Sequence, residues 1–302
     1  MSGQAQPASD SMAIALGELP VPERRWRAIL RRYGRRKLGW IGAAIVALAV
    51  VLALFAPLIA THDPVAADFA DVHAPPSRAH WLGTDQLGRD IYSRVVYGSR
   101  VSLRVGCIAI IIAVGIGLPL GLIAGYNTGW IDHLLIMRVM DAMMAFPPLI
   151  LALVIVVALG PSINNALIAI GITYSPGFAR LVRGAVLSVR EEAYVDAARA
   201  LGASTPRIII QHILPNLMSP VIVLASLALA GAILAEAGLS FLGVGAQPPT
   251  PAWGSMLNTG RQFIETNMWE SIAPGTAIML VVMGFNFIGD SLRDALDPRL
   301  RT

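Results

Sequence analysis

Residues 191–216 read EEAYVDAARALGASTPRIIIQHILPN, a polar stretch between two long apolar runs. Its apolar positions recur at i, i+3, i+4 and i+7, which is the spacing of one helix face: Tyr194, Ala197, Ala198 and Leu201. The charged positions turn away from that face: Glu192, Asp196 and Arg199. The stretch therefore predicts a helix that presents one apolar stripe outside the neighbouring apolar segments.

The residues after this helix predict a tight turn and a second helix. Gly202 suits a left-handed stop, because glycine adopts positive φ without steric cost. Thr205 and Pro206 suit an N-cap followed by proline at the first helical position. We expect the second helix to end before Pro215, whose ring does not fit a helix interior.

Composition indicates an integral membrane protein. The chain has 302 residues, of which 55% are hydrophobic and 14% charged, against roughly 25% charged residues in soluble domains. A span needs about 20 apolar residues, and lipid requires every backbone polar group to be bonded internally. The long apolar runs therefore predict an all-α membrane protein.

Six apolar runs divide the chain. The fourth is interrupted by Tyr174-Ser175-Pro176-Gly177, and a kink is expected in the third at Phe146-Pro147-Pro148. The predicted spans are 38–60, 101–126, 134–159, 163–189, 217–244 and 271–288. The predicted domains are a basic tail at 1–37, the first span at 38–60, an external segment with an interfacial helix at 61–100, a core of five spans at 101–291 with a loop at 190–216, and a tail at 292–302.

Charge predicts the orientation of these spans. Eight basic residues lie between positions 24 and 37, before the first span, and the positive-inside bias places them in the cytoplasm. Four crossings then place the 190–216 loop in the cytoplasm, and six return the C-terminus there. Anionic lipid explains the basic cluster more simply than nucleic acid does. The basic region is also too long for a cleavable signal peptide.

Two rare residues exclude several kinds of site. Cys107 is the only cysteine, so the chain has no intrachain disulfide and no multi-cysteine metal site. Lys37 is the only lysine and is followed by Leu38, which excludes a Walker A phosphate loop. We therefore expect no cofactor on this chain, and ATP, if used, must be bound by a partner.

The external segment is expected to be solvated. Leu87, Ile91 and Val95 predict a short interfacial helix capped near Thr84 or Asp85. Three arginines are expected to keep its other face wet: Arg89, Arg94 and Arg100. The separations of the three loop histidines fit no compact ligand set, so we expect no metal site: His62, His73 and His80.

Within the spans, three glycines predict close helix packing because they are four residues apart: Gly117, Gly121 and Gly125. Arg138 and Asp141 are expected to pair.

Glu236 is the one carboxylate well inside an apolar run, so it is a candidate for a translocation pathway. A structural hydrogen bond to a neighbouring helix is the alternative for Glu236, and Asn286 is a weaker pathway candidate.

The 191–216 stretch resembles the "EAA" loop of ABC-importer permeases. The family pattern appears as Asp196-Ala197-Ala198, Gly202 and Ile213-Leu214-Pro215, with aspartate in place of the family's glutamate. Further stretches resemble the second permease subunit of dipeptide, oligopeptide and nickel importers: His80–Asp85, Leu87–Asp90, Ser93-Arg94, Tyr97-Gly98, Ala235–Gly243, Gln247–Gly254 and Gly289–Pro298. The resemblance implies the six-helix, MetI-like fold of type I importers. It also implies that the 190–216 loop docks on an ATPase.

The resemblance also implies a function and an assembly. The chain would be an inner-membrane permease for peptides or a related solute such as a nickel chelate. Its partners would be a homologous permease, two cytoplasmic ATP-binding subunits that hold ATP and Mg, an external binding protein and membrane lipid, with no nucleic acid. Alternatives are an interfacial helix resting on lipid, an ATP-independent transporter or channel, and an assembly factor without transport.

Overall fold

The computed structural model describes residues 36–127, 129 and 135–296. Within these ranges every regular element is a helix, apart from an isolated bridge between Thr84 and Asp90. The all-α prediction is therefore confirmed for the described residues. Most of the predicted basic tail at 1–37 and the last six residues of the tail at 292–302 lie outside them.

The helices follow one another in chain order with few long connections. They are α1 (Lys37–Leu54), α2 (Ala56–Ile59), α3 (Ile91–Tyr126), α4 (Met137–Met144), α5 (Pro148–Leu159), α6 (Ile163–Val189), α7 (Ala193–Ala200), α8 (Thr205–Ile208), a π-helical turn (Ile209–Ile213), α9 (Leu214–Phe241), α10 (Trp253–Gly260), a 3₁₀ turn (Arg261–Phe263) and α11 (Trp269–Leu296).

Among the residues that the structure describes, four helical stretches are long and apolar enough to cross a membrane: Lys37–Leu54, Ile91–Tyr126, Thr205–Phe241 and Trp269–Leu296. A fifth follows if α4 and α5, which meet at a bend of 100°, form one broken span. The bend lies at the predicted Phe146-Pro147-Pro148 kink. The predicted fourth span forms α6 with the expected bounds, but α6 is not among the apolar stretches, so its crossing remains a prediction.

Contacts at the helix ends show which ends share a side of the bundle. Arg36, before α1, lies 2.9 Å from Asp294 near the end of α11. At the opposite end, Thr61 follows α2 and bonds Asp90 before α3. The far end of α3 returns to the first side, where Gly125 accepts a bond from Arg190. The loop carrying α7 thus lies on the same side as residues 36 and 294.

The predicted glycine stripe packs α3 against α6. A Cβ atom on Gly117 would lie 2.5 Å from the Ser175 carbonyl oxygen, and one on Gly121 would lie 2.6 Å from the Ala179 carbonyl oxygen. Real Cβ atoms do not approach that closely, so only glycine permits this backbone separation. Gly125 meets Val186 in the same way. The packing role expected from the glycine spacing is confirmed.

Helix α6 continues through the expected interruption at Pro176. Proline has no N–H to donate to the carbonyl of Ile172, four residues earlier. The hydroxyl of Ser175 donates to that oxygen instead, at 2.8 Å. Because the freed carbonyl finds a local donor, the helix is not broken.

The second helix of the 191–216 stretch does not end before Pro215, and that expectation was wrong. A π-helical turn at Ile209–Ile213 precedes α9, and Leu214 N–H donates to the Ile209 carbonyl, five residues back. The wider turn accommodates the proline, so the chain stays helical from Thr205 to Phe241.

Two further sequence expectations were wrong. The separate interfacial helix near Leu87 does not exist, because α3 begins at Ile91, is capped by Asp90 and runs without a break to Tyr126. Asp141 does not pair with Arg138. It bonds Arg180 of α6 instead, at 2.7 Å, so the pair joins two helices rather than stabilising one.

Candidate functional site

Helix α7 buries one side chain against the bundle. Val195 is fully buried and belongs to the main apolar cluster, with Ile208 and Ile213. Tyr194 remains 44% exposed and Leu201 is 88% exposed. The predicted apolar stripe is therefore presented outward, while the anchoring role of Val195 was not anticipated.

The turn after α7 has the geometry of a Schellman motif. Gly202 has a φ of +81°, in the left-handed region. Its N–H donates to the Arg199 carbonyl at 3.0 Å, and Ala203 N–H donates to the Ala198 carbonyl at 3.1 Å. The predicted left-handed stop at Gly202 is confirmed. The following N-cap is Ser204, so Thr205 and Pro206 are each one position further into the helix than expected.

Polar contacts fix α7 relative to the bundle. Asn216, at the base of α9, donates to the Tyr194 hydroxyl at 3.0 Å and to the His212 carbonyl at 2.7 Å. On the exposed face, Arg199 pairs with Asp196 at 2.6 Å. Tyr194 thus connects α7 directly to the start of α9. Glu192, Ala197 and the Asp196–Arg199 pair remain accessible to a partner.

Glu236 lies on α9 where this helix contacts α3, and it is 1% exposed. Its two oxygens accept bonds from Ser102 at 3.1 Å and from Ser240 at 2.8 Å. The bond from Ser102 joins two helices, and it is the structural hydrogen bond that was the alternative interpretation for Glu236. Asn286 is half-buried in α11. A pathway role for either residue remains a prediction.

On the opposite side of the bundle, Asp90 organises the entry to α3. Its Oδ2 accepts bonds from the Ser93 amide at 2.8 Å and the Ser93 hydroxyl at 2.6 Å. Its Oδ1 accepts from His80 Nδ1 at 2.9 Å. Burial alone would raise the pKa of Asp90, but the bonds from Ser93 and His80 and the nearby His62 outweigh it, so the pKa is lowered.

The segment that was predicted to be external is more tightly bonded than the sequence indicated. Arg89 and Arg94 are buried and both contact Asp85, at 2.8 Å and 3.4 Å, so the expected wet face was wrong for these two residues. His73 Nδ1 lies 2.6 Å from Glu270 at the start of α11. The histidines are therefore not simply solvated.

The structure also brings together three residues that the sequence patterns did not connect. His62 and His80 stack at 4.5 Å between ring centroids, beside Asp90. Asp90 precedes Ser93 by three residues, which is a local N-cap signal. No local signal places His62 beside them, because it precedes Asp90 by 28 positions in the sequence.

Comparison with known proteins identifies the family. The family described as "Binding-protein-dependent transport system inner membrane component" matches residues 117–302. The "N-terminal TM domain of oligopeptide transport permease C" matches residues 24–76. The two matches together include the glycine stripe, α7 and Glu236.

Relatives match over nearly their whole length. The dipeptide transport system permease protein DppC of Alkalihalophilus pseudofirmus is 50% identical over 92% of this chain and 91% of that protein. The glutathione transport system permease protein GsiD of Pectobacterium atrosepticum is 41% identical, over 92% of each. The probable D,D-dipeptide transport system permease protein DdpC of Escherichia coli is 44% identical, over 89% of this chain and 93% of that protein.

A solved structure of the MetNI methionine ABC transporter, in an inward-facing conformation, shares the fold. The TM-score is 0.56 at 20% identity, over 68% of this chain and 98% of that one. The MetI-like architecture is therefore confirmed, and hydrolysis of ATP belongs to other subunits in this family. The chain belongs to the family of binding-protein-dependent inner-membrane transport components, as a multi-pass permease subunit of an ATP-driven ABC importer.

Proposed function

We propose that this permease takes up dipeptides or short oligopeptides delivered by an external binding protein. The names of three relatives that match nearly the whole chain support this cargo, since two refer to dipeptides and one to glutathione. The sequence also resembles permeases of nickel importers, so a nickel chelate is the competing cargo. Both kinds of cargo require a pathway that admits a small polar solute through a bundle of apolar helices.

The proposed assembly contains a homologous permease and two cytoplasmic ATP-binding subunits, which hold ATP and Mg. Large apolar side chains remain exposed along the helices, including Leu58 at 81% and Ile111 at 68%. Lipid and the second permease would cover such surfaces. Residues 36 and 294 and the loop carrying α7 would face the cytoplasm, and the 61–90 segment the exterior.

The proposed coupling element is α7, because of what it exposes and how it is anchored. The helix exposes Leu201 and Tyr194 while Val195 fixes it to the core cluster. Alanines on a helix surface bury little area in lipid but allow close approach to a protein groove. The residues proposed to contact or position the ATPase are Glu192, Tyr194, Asp196, Ala197, Ala198, Arg199, Leu201 and Gly202.

The mechanism follows from these contacts. Closure of the two ATPase subunits on ATP would move α7 as a rigid unit. Val195 and the Tyr194–Asn216 bond would pass that movement to the π-helical turn and α9. The spans would then exchange between outward and inward openings, powered by differential nucleotide binding on the partners.

A photo-crosslinking amino acid at position 201 tests the docking. In the assembled transporter we expect irradiation to join this chain to an ATPase subunit. The matched control is position 264 in the external loop, where Ile264 is 56% exposed and no ATPase adduct is expected. Absence of the adduct at 201, with the complex intact, would contradict the docking assignment.

The cargo is tested separately. Proteoliposomes containing the whole transporter should accumulate a labelled dipeptide when its binding protein and internal ATP are supplied. Excess unlabelled dipeptide should abolish this uptake, whereas a nickel chelate should not. The opposite competition pattern would contradict the peptide cargo while leaving the ABC importer assignment intact.

We also propose, from the cost of an acid inside an apolar run, that Glu236 borders the solute pathway together with Asn286. Glu236→Gln should then change the uptake rate or the preference among peptides. Asn286→Ala should change the same quantities. Unchanged uptake and unchanged preference in Glu236→Gln would assign the residue to helix packing alone.

A further inference from the structure

Three potential metal ligands lie together at the external end of the bundle. One ligand atom from each of His62, His80 and Asp90 lies within 4.8 Å of the other two. The closest pair is His80 Nδ1 and Asp90 Oδ1 at 2.9 Å, and His62 Nδ1 lies 3.9 Å from Asp90 Oδ2. The cluster joins the chain just after α2 to the residue that caps α3.

We propose that His62, His80 and Asp90 bind a divalent transition cation of the Zn²⁺ class. Two imidazole nitrogens and one carboxylate oxygen form a donor set that suits Zn²⁺ and similar borderline cations better than Ca²⁺ or Mg²⁺. Three protein ligands leave a fourth position for water. The site is independent of the proposed cargo and of the coupling element.

The two carboxylate oxygens of Asp90 have different partners, which makes a ligand role compatible with the helix cap. Oδ2 accepts both bonds from Ser93 and can continue to cap α3. Among the described residues, His80 is the donor to Oδ1. A cation at Oδ1 would therefore replace the bond from His80 without removing the cap.

The remaining geometry needs only side-chain movement. Ligands bound to tetrahedral Zn²⁺ at about 2.0–2.1 Å are about 3.3 Å apart. The closest pair must therefore separate slightly, and the widest distances in the cluster must shorten. The His62 side chain is 42% exposed and can rotate, whereas His80 and Asp90 are 14% and 0% exposed, so only a shift of a few tenths of an ångström is expected of them. The exposed side of His62 also gives the cation a route of entry.

Cation binding would cross-link two parts of the chain that are distant in sequence. Binding would fix His62 to Asp90 across the intervening loop, which contains His73 and the Asp85–Arg89 pair. Since the cation binds only the folded arrangement, it should stabilise that arrangement. The competing interpretation is a purely structural contact, in which two stacked histidines neighbour a helix cap and hold no cation.

Titration of Zn²⁺ against a chromophoric chelator tests the proposal. The sample is the tag-free full-length chain, purified with its transporter complex in detergent and treated with EDTA before use. A complex made with His62→Gln is compared with the parent. We expect one site that depends on His62, and a decrease in its affinity of roughly tenfold or more in the variant, since even indirect partners of a metal contribute about 10- to 100-fold.

Two further variants make the outcome decisive. His80→Gln should weaken the same site by at least as much, while His212→Gln removes a histidine at the opposite end and should leave the affinity unchanged. Unfolding temperatures measured without metal show whether the variants remain folded. Equal Zn²⁺ affinity in the parent and His62→Gln, or equal loss in His212→Gln, would overturn the proposal. Visible absorption of bound Co²⁺ that disappears with His62→Gln would support it independently.

Discussion

Gly202 has a φ of +81°, and nothing lies within 4 Å of the position that its Cβ atom would take. The backbone conformation, rather than the surrounding space, therefore selects glycine at this position. Gly184 of α6 provides the contrast, because a Cβ atom there also meets nothing, yet its φ is not positive. Substitutions at these two positions therefore distinguish the effect of backbone strain from the effect of steric clash.

Gly202→Val should uncouple transport while leaving the chain inserted. A side chain in the left-handed region costs on the order of 1–2 kcal/mol, so the intact turn should become roughly 5- to 30-fold less populated. ATP-driven uptake, normalised to the amount of permease in the membrane, measures the effect. Gly184→Val is the control and should transport normally. Normal uptake by Gly202→Val with its ATPase still docked would refute the role of the turn.

Ser175 has a similarly local function beside Pro176. Ser175→Ala should leave the partly buried Ile172 carbonyl without its donor, at a cost of about 1–3 kcal/mol in the free energy of unfolding. The unfolding temperature in detergent measures this loss. Ser175→Ala combined with Pro176→Ala should recover part of it, because alanine restores the N–H at position 176. No recovery in the double variant would contradict the hydrogen-bond explanation.

At the scale of helices, the contact between α3 and α6 depends on glycine at one face of α3. Spacing of four residues in the sequence was enough to predict close packing on that face. It did not identify α6 as the partner, because several helices could have approached a smooth surface of this kind. The partner is determined by which helices the loops bring side by side.

Gly121→Ala should weaken this helix pair. The added Cβ atom would lie 2.6 Å from the Ala179 carbonyl and 2.7 Å from Val182 Cβ, so the backbones must separate. Overpacking of this kind costs about 1–3 kcal/mol, and a lower unfolding temperature in detergent would reveal it. Gly115→Ala is the matched control, since nothing lies within 4 Å of that position. Equal stability of the two variants would show that the contact tolerates extra volume.

For the whole molecule, the arrangement of helix ends makes a prediction about sidedness. Residues 36 and 294 share one end with the α7 loop, and the 61–90 segment with Asn267 and Glu270 forms the other. The basic cluster at 24–37 favours the cytoplasm for the first end. Phe69, which is 75% exposed, marks the opposite end.

Thiol labelling should report that orientation. With Cys107 replaced by serine, Leu201→Cys should react with an impermeant maleimide only in inside-out vesicles. Phe69→Cys should react only in right-side-out vesicles. Quantitative labelling in detergent provides the control that both thiols are accessible. Reaction of Leu201→Cys from the outside would reverse the proposed topology and remove the basis for ATPase docking.

The sequence alone determined the features that depend on neighbours along the chain. Apolar run length predicted the membrane helices, periodicity predicted α7, and a glycine at the end of that helix predicted the turn at Gly202. These are local properties, because helix formation and capping involve residues only three to five positions apart. Pro176 and Pro215 were wrongly expected to interrupt their helices. The Ser175 hydroxyl compensates for the first proline and the π-helical turn accommodates the second, and neither compensation has a strong sequence pattern.

Contacts between residues that are distant in sequence depend on how the helices pack. Asp141 pairs with Arg180 rather than Arg138, His73 meets Glu270, and His62 joins His80 at Asp90. Each contact depends on the packing of whole helices, which places side chains together without regard to their separation in sequence. Composition and local spacing do not identify which helices pack together, so the cluster of His62, His80 and Asp90 is seen only in the folded structure.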